Sequence, residues 1–400
     1  MNVRIKIIQF LKIHPNILDY FWRISRVLLS GVGHIVRIKP KRVIFSSMGG
    51  RKYDDSPRTI YEEMISMDEF KGWEFYWAFA NPSDFAIPVG KKIRIDSIRF
   101  FWILLSSHIW VSNSGMDRGI RIKKKKIIKV ETWHGTALKK FGGEENTGSM
   151  RIKKDMNRKR PLDVSTIRCC QSIVDRETRA RVEHSSLDCY LLSGLPRNDY
   201  LFKYTDEDKK KIRFNLKIPE TKSVILYTPT YREYMLNNKN ETFLKIPIDM
   251  PKWKKILGKD YVLLIRAHYA VIKELGIEED DFIKDVSNYG VLSDLYYIAD
   301  IMISDYSSTF VDYSILDRPM FCFPYDYDEY NEKRGINLQI FKSLPCDPVF
   351  NEDDLLKQIK EMDYKKMSEK TKIFHKKFAC YDDGNSAKKV TDELIRRINV

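Results

Sequence analysis

Short apolar runs recur along this chain, each closed by a polar or glycine turn and followed by a stretch of helical periodicity. The first, Arg42-Val43-Ile44-Phe45-Ser46, ends in Met48-Gly49-Gly50, and residues 56–67 then read as a helix with Pro57 in its first turn. Further runs stand at 73–80, 108–112, 127–132, 167–170 and 189–192. Apolar runs without alternation belong to strands covered on both faces, so the pattern specifies parallel sheets layered with helices. A second series begins at 223–227 and continues at 261–265, 301–304 and 320–323. The charged stretch 203–221 reads as the link between the two series, and residues 386–398 as a closing helix with Ala387, Val390, Leu394 and Ile398 on one face. No fixed-period repeat occurs, which excludes a solenoid or propeller. With 400 residues there is room for two doubly wound α/β domains facing each other.

Charge narrows the choice of partner. The formal net charge is +15, which calls for an anionic partner. Residues 1–42 hold nine Lys/Arg and one acidic residue, Asp19, and so carry more than half of the excess. Across residues 17–29, Asp19, Arg23 and Arg26 share one stripe of a helix, and Ile17, Leu18, Tyr20, Phe21, Ile24, Val27 and Leu28 form a wide apolar face. Such a helix can lie in a membrane interface with its cations on lipid phosphates, or it can pack on the protein's own core. The longest uncharged run near the N-terminus, 27–36, is too short for a secretory signal with these flanks or for a spanning helix. Nucleic acid is a poor fit, because the basic runs 121–129 and 151–160 lack interleaved aromatic residues. Six cysteines without a Cys-x-x-Cys pair read as buried free thiols rather than a metal site or disulfide framework.

Four clusters fall at strand ends, where open α/β sheets place their ligands. Glu131-Thr132-Trp133-His134-Gly135-Thr136 follows one strand, with His134 able to take a proton near neutral pH and Gly135 permitting close backbone approach. Arg266-Ala267-His268 follows another, its Arg and His pointing to one side of an extended segment. Thr228-Pro229-Thr230-Tyr231-Arg232 reads either as a phosphate-facing turn or as a structural turn with an exposed arginine. Ser304-Asp305-Tyr306-Ser307-Ser308-Thr309 joins a strand to a helix and reads either as an anion site or as ordinary N-capping. Walker, Gly-x-Gly-x-x-Gly, Gly-x-Ser-x-Gly and His-Glu-x-x-His motifs are absent, and Asp326-Tyr327-Asp328 is only a loose Asp-x-Asp match.

Taken together, the clusters resemble the CDP-glycerol:poly(glycerophosphate) glycerophosphotransferases of teichoic acid and capsule synthesis. The likeness runs through Trp133-His134-Gly135-Thr136, Gly194-Leu195-Pro196-Arg197-Asn198-Asp199, Thr228 to Arg232, Arg266-x-His268 and Ser304 to Ser308. It continues through Asp312-Tyr313, Leu316-Asp317-Arg318-Pro319, Tyr325-Asp326 and Asp382-Asp383-Gly384. Ala137 stands where the family pattern has proline.

The resemblance implies a GT-B-like pair of Rossmann-type domains facing a cleft. Residues 1–42 would form a basic amphipathic membrane-association segment, 43–205 the acceptor domain and 206–400 the CDP-donor domain. His134 and His268 would be catalytic. Thr230, Arg232, Arg266, Asp305, Ser307, Ser308 and Thr309 would bind the donor, with Trp133, Gly135 and Thr136 on the acceptor side. The implied partners are CDP-glycerol, a lipid-diphosphate-linked acceptor and an anionic membrane surface at the cytoplasmic face of the cell membrane. No cofactor is implied, and the motifs leave a divalent cation open. CDP-ribitol or a nucleotide sugar is the alternative donor. The chain length favours a primase or short-chain transferase over a polymerase.

Overall fold

The computed structural model describes residues 15–120, 127–146, 166–232, 234–235, 246–267 and 277–399. Twelve strands among them form two parallel sheets. The first holds β1 (Lys39–Ser46), β2 (Glu74–Phe79), β3 (Lys91–Arg94), β4 (Ser107–Ser112), β5 (Ile128–Glu131), β6 (Thr166–Cys169) and β7 (Tyr190–Leu191), in the order β3-β2-β1-β4-β5-β6-β7. The second holds β8 (Ser223–Thr228), β9 (Tyr261–Ile265), β10 (Ile283–Asp285), β11 (Ile301–Ser304) and β12 (Met320–Cys322), in the order β10-β9-β8-β11-β12. Burial explains why the apolar runs do not alternate: the last five residues of β1 and of β8, and all of β11 and β12, are buried. Strands enclosed on both faces gain stability from every side chain.

Two compact units divide the chain. One comprises the described residues up to Trp133, with Thr166, Ile167 and the chain end from Thr391. The other runs from His134 to Val390 apart from that insert.

Three details differ from the sequence reading. The charged segment after residue 203 is not a plain link: Asp206–Asn215 is a helix, started by a capping box in which Thr205 and Asp208 satisfy each other's backbone N–H. β3 and β10 were not foreseen, because Lys91–Arg94 and Ile283–Asp285 are short and mostly charged. Of the cysteines, Cys380 is exposed and Cys346 only partly buried, while the other four are buried.

At the N-terminus a helix runs over Pro15–Ile35. One side of it packs on the protein and the other does not. Leu29 packs against the core of the first unit, and Arg26 Nε donates to the Arg118 carbonyl at 3.0 Å. Tyr20, Ile24, Val27, Leu28 and Ile35 remain exposed, and their spacing places them along one side. No helix among the described residues is long and apolar enough to cross a membrane.

Candidate active site

In the second sheet β8 lies between β9 and β11, so strand order reverses between β8 and β11. Ser304 pairs with Thr228 there, and the two loops that leave these strands start side by side. A topological switch of this kind is where doubly wound sheets bind ligands. The two clusters at 228–232 and 304–309 are thereby joined.

Arg232 does not reach out to solvent. Its side chain is fully buried, with Nη1 donating to Asp305 Oδ2 at 2.6 Å and Nε and Nη2 forking onto Asp326 at 2.9 and 2.8 Å. The guanidinium lies 5.1–5.3 Å from the ring centres of Tyr306, Tyr325 and Tyr330. Burial, then the Asp326 and Asp305 charges, push the Tyr306 phenol upward, so it stays protonated and donates to Asp326 Oδ1 at 3.0 Å. Asp305 in turn accepts the Thr230 N–H at 2.9 Å. The exposed-arginine reading of this turn is therefore corrected: Arg232 ties 228–232, 305 and 326 into one block. The loose Asp-x-Asp match is part of that block, with Asp326 as its carboxylate.

Beside the block stand the hydroxyl residues Thr230, Ser307, Ser308 and Thr309. Thr230 Oγ1 is buried and has no hydrogen-bond partner among the described residues. Ser307 and Ser308 are partly exposed, while Thr309 Oγ1 lies 3.2 Å from Thr228 Oγ1 and 3.4 Å from Ser304 Oγ. Ser308 makes no side-chain cap, and the helix it precedes, Thr309–Ser314, has only six residues. Any anion here would thus rely on local N–H and O–H donors more than on a helix dipole. Arg266 follows β9 directly and donates to the Val286 and Tyr289 carbonyls at 3.1 and 2.8 Å. His268 lies outside the described residues.

The histidine turn meets this row directly. Trp133, partly buried, takes φ +61°, and Gly135 takes φ +124°, a conformation L side chains rarely adopt. A Cβ on Gly135 would fall 2.5 Å from Ser308 Oγ and 3.0 Å from Arg197 Nη2. Glycine is needed for the approach as well as for the backbone angle. His134 is exposed. Thr136 is buried, and its hydroxyl donates to Gln171 Oε1 at 2.9 Å. Beyond it, Asn337 N donates to the Leu138 carbonyl at 2.7 Å and Asn337 Nδ2 to the Ala137 carbonyl at 3.3 Å. These bonds hold the segment where a proline was expected.

Several residues of the site were quoted in the sequence only as pattern, and one was missed outright. Arg197, Asn198 and Asp199 each have a separate task. Arg197 Nη2 bridges Asp312 Oδ2 and the His134 carbonyl, at 2.5 and 3.2 Å. Asn198 Nδ2 donates to Asp312 and Asp382. Asp199 accepts the N–H groups of Ser386 and Ala387 at 2.9 and 2.8 Å, capping the closing helix Ser386–Ile398. Gln171 has no motif around it, and only the folded chain shows it between Thr136, Asp312 and Asp382. Among the described residues no cluster of His, Cys, Asp or Glu could hold a metal ion.

These features define the class: a two-sheet, Rossmann-type α/β protein in which a histidine turn abuts a hydroxyl-lined strand end. The chain belongs to the CDP-glycerol:poly(glycerophosphate) glycerophosphotransferase family, whose model matches residues 28–396. It is 32% identical over 373 residues to the teichoic acid poly(glycerol phosphate) polymerase of Staphylococcus epidermidis, covering 90% of this chain and 51% of that one. It is 29% identical over 371 residues to the teichoic acid glycerol-phosphate transferase of Staphylococcus aureus, covering 88% of this chain and 92% of that one. The chain thus spans about half the length of the first relative and nearly all of the second. Among solved structures, the wall teichoic acid polymerase TagF superposes with a TM-score of 0.84 at 30% identity, covering 100% of this chain and 99% of that one. A variant of the same polymerase has been solved after soaking with CDPG.

Proposed function

We propose that this protein transfers glycerol phosphate from CDP-glycerol to a hydroxyl of a membrane-bound, lipid-linked acceptor, releasing CMP, on a GT-B-like scaffold. The observation that supports the reading is the close approach of the Gly135 backbone to Ser308, which brings the histidine turn up to hydroxyl donors compatible with phosphate. Family membership and the CDPG soak of the related polymerase support CDP-glycerol as donor.

Transfer needs two things. The acceptor oxygen must lose its proton as it attacks the β-phosphorus, and His134 is the base available at the turn. The bond from the β-phosphorus to the bridging oxygen must break, leaving charge on CMP that donors have to meet. Ser307, Ser308, Thr309 and the unpartnered Thr230 hydroxyl offer those donors, with Arg266 and His268 assigned the CMP side. Arg232 and Asp305 act from behind, holding the Thr230 and Ser307 segments at fixed spacing. Trp133 and Thr136 shape the acceptor approach.

The helix Pro15–Ile35 supports placement at a membrane. Its exposed apolar side, with the exposed Arg23, Arg37, Lys39 and Lys41, suits an anionic bilayer surface from the cytoplasmic side. Val27→Asp combined with Leu28→Asp should lower partition onto phosphatidylglycerol vesicles at least about tenfold, since two large apolar side chains leave the interface. Unchanged sedimentation with vesicles would remove this face from the reading.

The direct test of the reaction is nucleotide release with a panel of donors and a synthetic lipid-linked acceptor. CMP should appear from CDP-glycerol only when acceptor is present. Faster turnover of CDP-ribitol or of a nucleotide sugar would reassign the donor.

A further inference from the structure

We propose that Arg197, clamped by Asp312 and indexed by Gln171, is a positioning residue that fixes where the His134 side chain stands. The inference rests on the reading of His134 as the base and adds the groups that set its place.

The turn is gripped on both sides of residue 135. On one side Arg197 Nη2 donates to the His134 carbonyl at 3.2 Å. On the other, Gln171 Oε1 accepts from the Thr136 hydroxyl at 2.9 Å and from its backbone N–H at 3.3 Å. Both grips end on one carboxylate. Arg197 reaches Asp312 Oδ2 at 2.5 Å, and Gln171 Nε2 reaches Asp312 Oδ1 at 3.1 Å. Asn198 Nδ2 adds a third donor to Asp312 Oδ1 at 3.1 Å. Between the grips, the Gly135 backbone approaches Ser308 so closely that a Cβ there would fall 2.5 Å from Ser308 Oγ.

The clamp is dry. Asp312 and Gln171 are fully buried, and the Arg197 side chain is 13% exposed. A second carboxylate, Asp382, shares the two amides, accepting from Gln171 and Asn198 at 3.1 Å each and from Leu195 N at 2.9 Å. Burial pushes the Asp382 carboxyl up to about 7; the Leu195 N–H and the Asn198 amide oppose this, and the Asp312 charge adds to it. A carboxyl raised in this way repels Asp312 less than a fully charged neighbour would.

Burying an Arg–carboxylate pair gains little stability over an apolar substitute of the same size. It does fix direction, because a single guanidinium nitrogen, Nη2, must meet the Asp312 carboxylate and the His134 carbonyl at once. A base must stand within a few tenths of an ångström of the proton it takes, and a 1 Å misplacement costs about 100-fold in rate.

The test is a double-mutant cycle on turnover. Arg197→Lys keeps the charge but cannot bridge a carboxylate and a carbonyl in the same way. Thr136→Val removes one hydroxyl at nearly constant shape, and so reports on the clamp even if Arg197→Lys folds poorly. Each is made alone and with His134→Ala, and kcat and the KM for CDP-glycerol are measured. Arg197→Lys should lower kcat about 100-fold and Thr136→Val about tenfold, with KM changed less than about threefold. Neither should lower the residual turnover of His134→Ala, because a residue that acts through His134 has nothing left to place. Equal losses in both backgrounds, or no loss beside intact His134, would overturn the positioning role while leaving His134 as the base. Near-wild-type turnover by His134→Ala itself would instead overturn the base assignment, and the positioning role with it.

Discussion

His134→Ala should lower CMP release from CDP-glycerol by about 10²- to 10⁴-fold, the range expected when a positioned general base is lost. The fold should survive. The turn is held by the His134 carbonyl, the Gly135 backbone and the Thr136 hydroxyl and N–H, all of which an alanine at 134 leaves in place. An exposed side chain also contributes little to a core, so the unfolding free energy should change by less than about 1 kcal/mol. CDP-glycerol should still bind, since the Thr230, Ser307 and Ser308 donors remain. Loss of donor binding together with activity would mean that His134 holds substrate rather than removing a proton.

The largest effect on stability belongs to Arg232. Its replacement by leucine would leave two carboxylates, Asp305 and Asp326, buried at 0% and 7% exposure without their shared cation. Removing one partner of a buried ion pair costs about 3–5 kcal/mol, because the charge left behind is neither solvated nor paired. Arg232→Lys should recover only part of this, since an ammonium cannot fork onto Asp326 while also reaching Asp305. Denaturant titration of the three proteins gives the comparison. A loss below about 1 kcal/mol in Arg232→Leu would mean that the block is held by its tyrosines alone. The activity of Arg232→Lys is informative as well. If the residue only holds Thr230 in place, KM for CDP-glycerol should rise modestly, not by the many-fold loss of a direct phosphate contact.

The sequence exposed the sheets more readily than the site. Val43-Ile44-Phe45, Ile225-Leu226-Tyr227 and Ile301-Met302-Ile303 show their strands because parallel strands bury both faces, and such runs need no partner to be recognised. Lys91–Arg94 and Ile283–Asp285 stayed hidden, because their polar residues carry no such signal. The turn at 133–136 stood out because histidine beside glycine at a strand end has few structural uses. Arg232 was located but its surroundings were not. A basic residue after a turn looks solvent-facing until Asp305 and Asp326, 73 and 94 residues away, are folded against it. Gln171, Asp312 and Asp382 lie far apart in the chain, and no local spacing announces a network assembled by tertiary contact. His268 was placed by motif alone and lies outside the described residues.

The transfer of glycerol phosphate as an intact unit is tested most directly with doubly labelled CDP-glycerol, ¹⁴C in the glycerol and ³²P in the β-phosphate, together with a lipid-linked acceptor. Both labels should enter the acceptor in equal amounts, with one CMP released per unit added. Glycerol label arriving without ³²P, with CDP as the nucleotide product, would place bond cleavage at carbon and contradict the phosphotransfer chemistry assigned to His134 and the serine row.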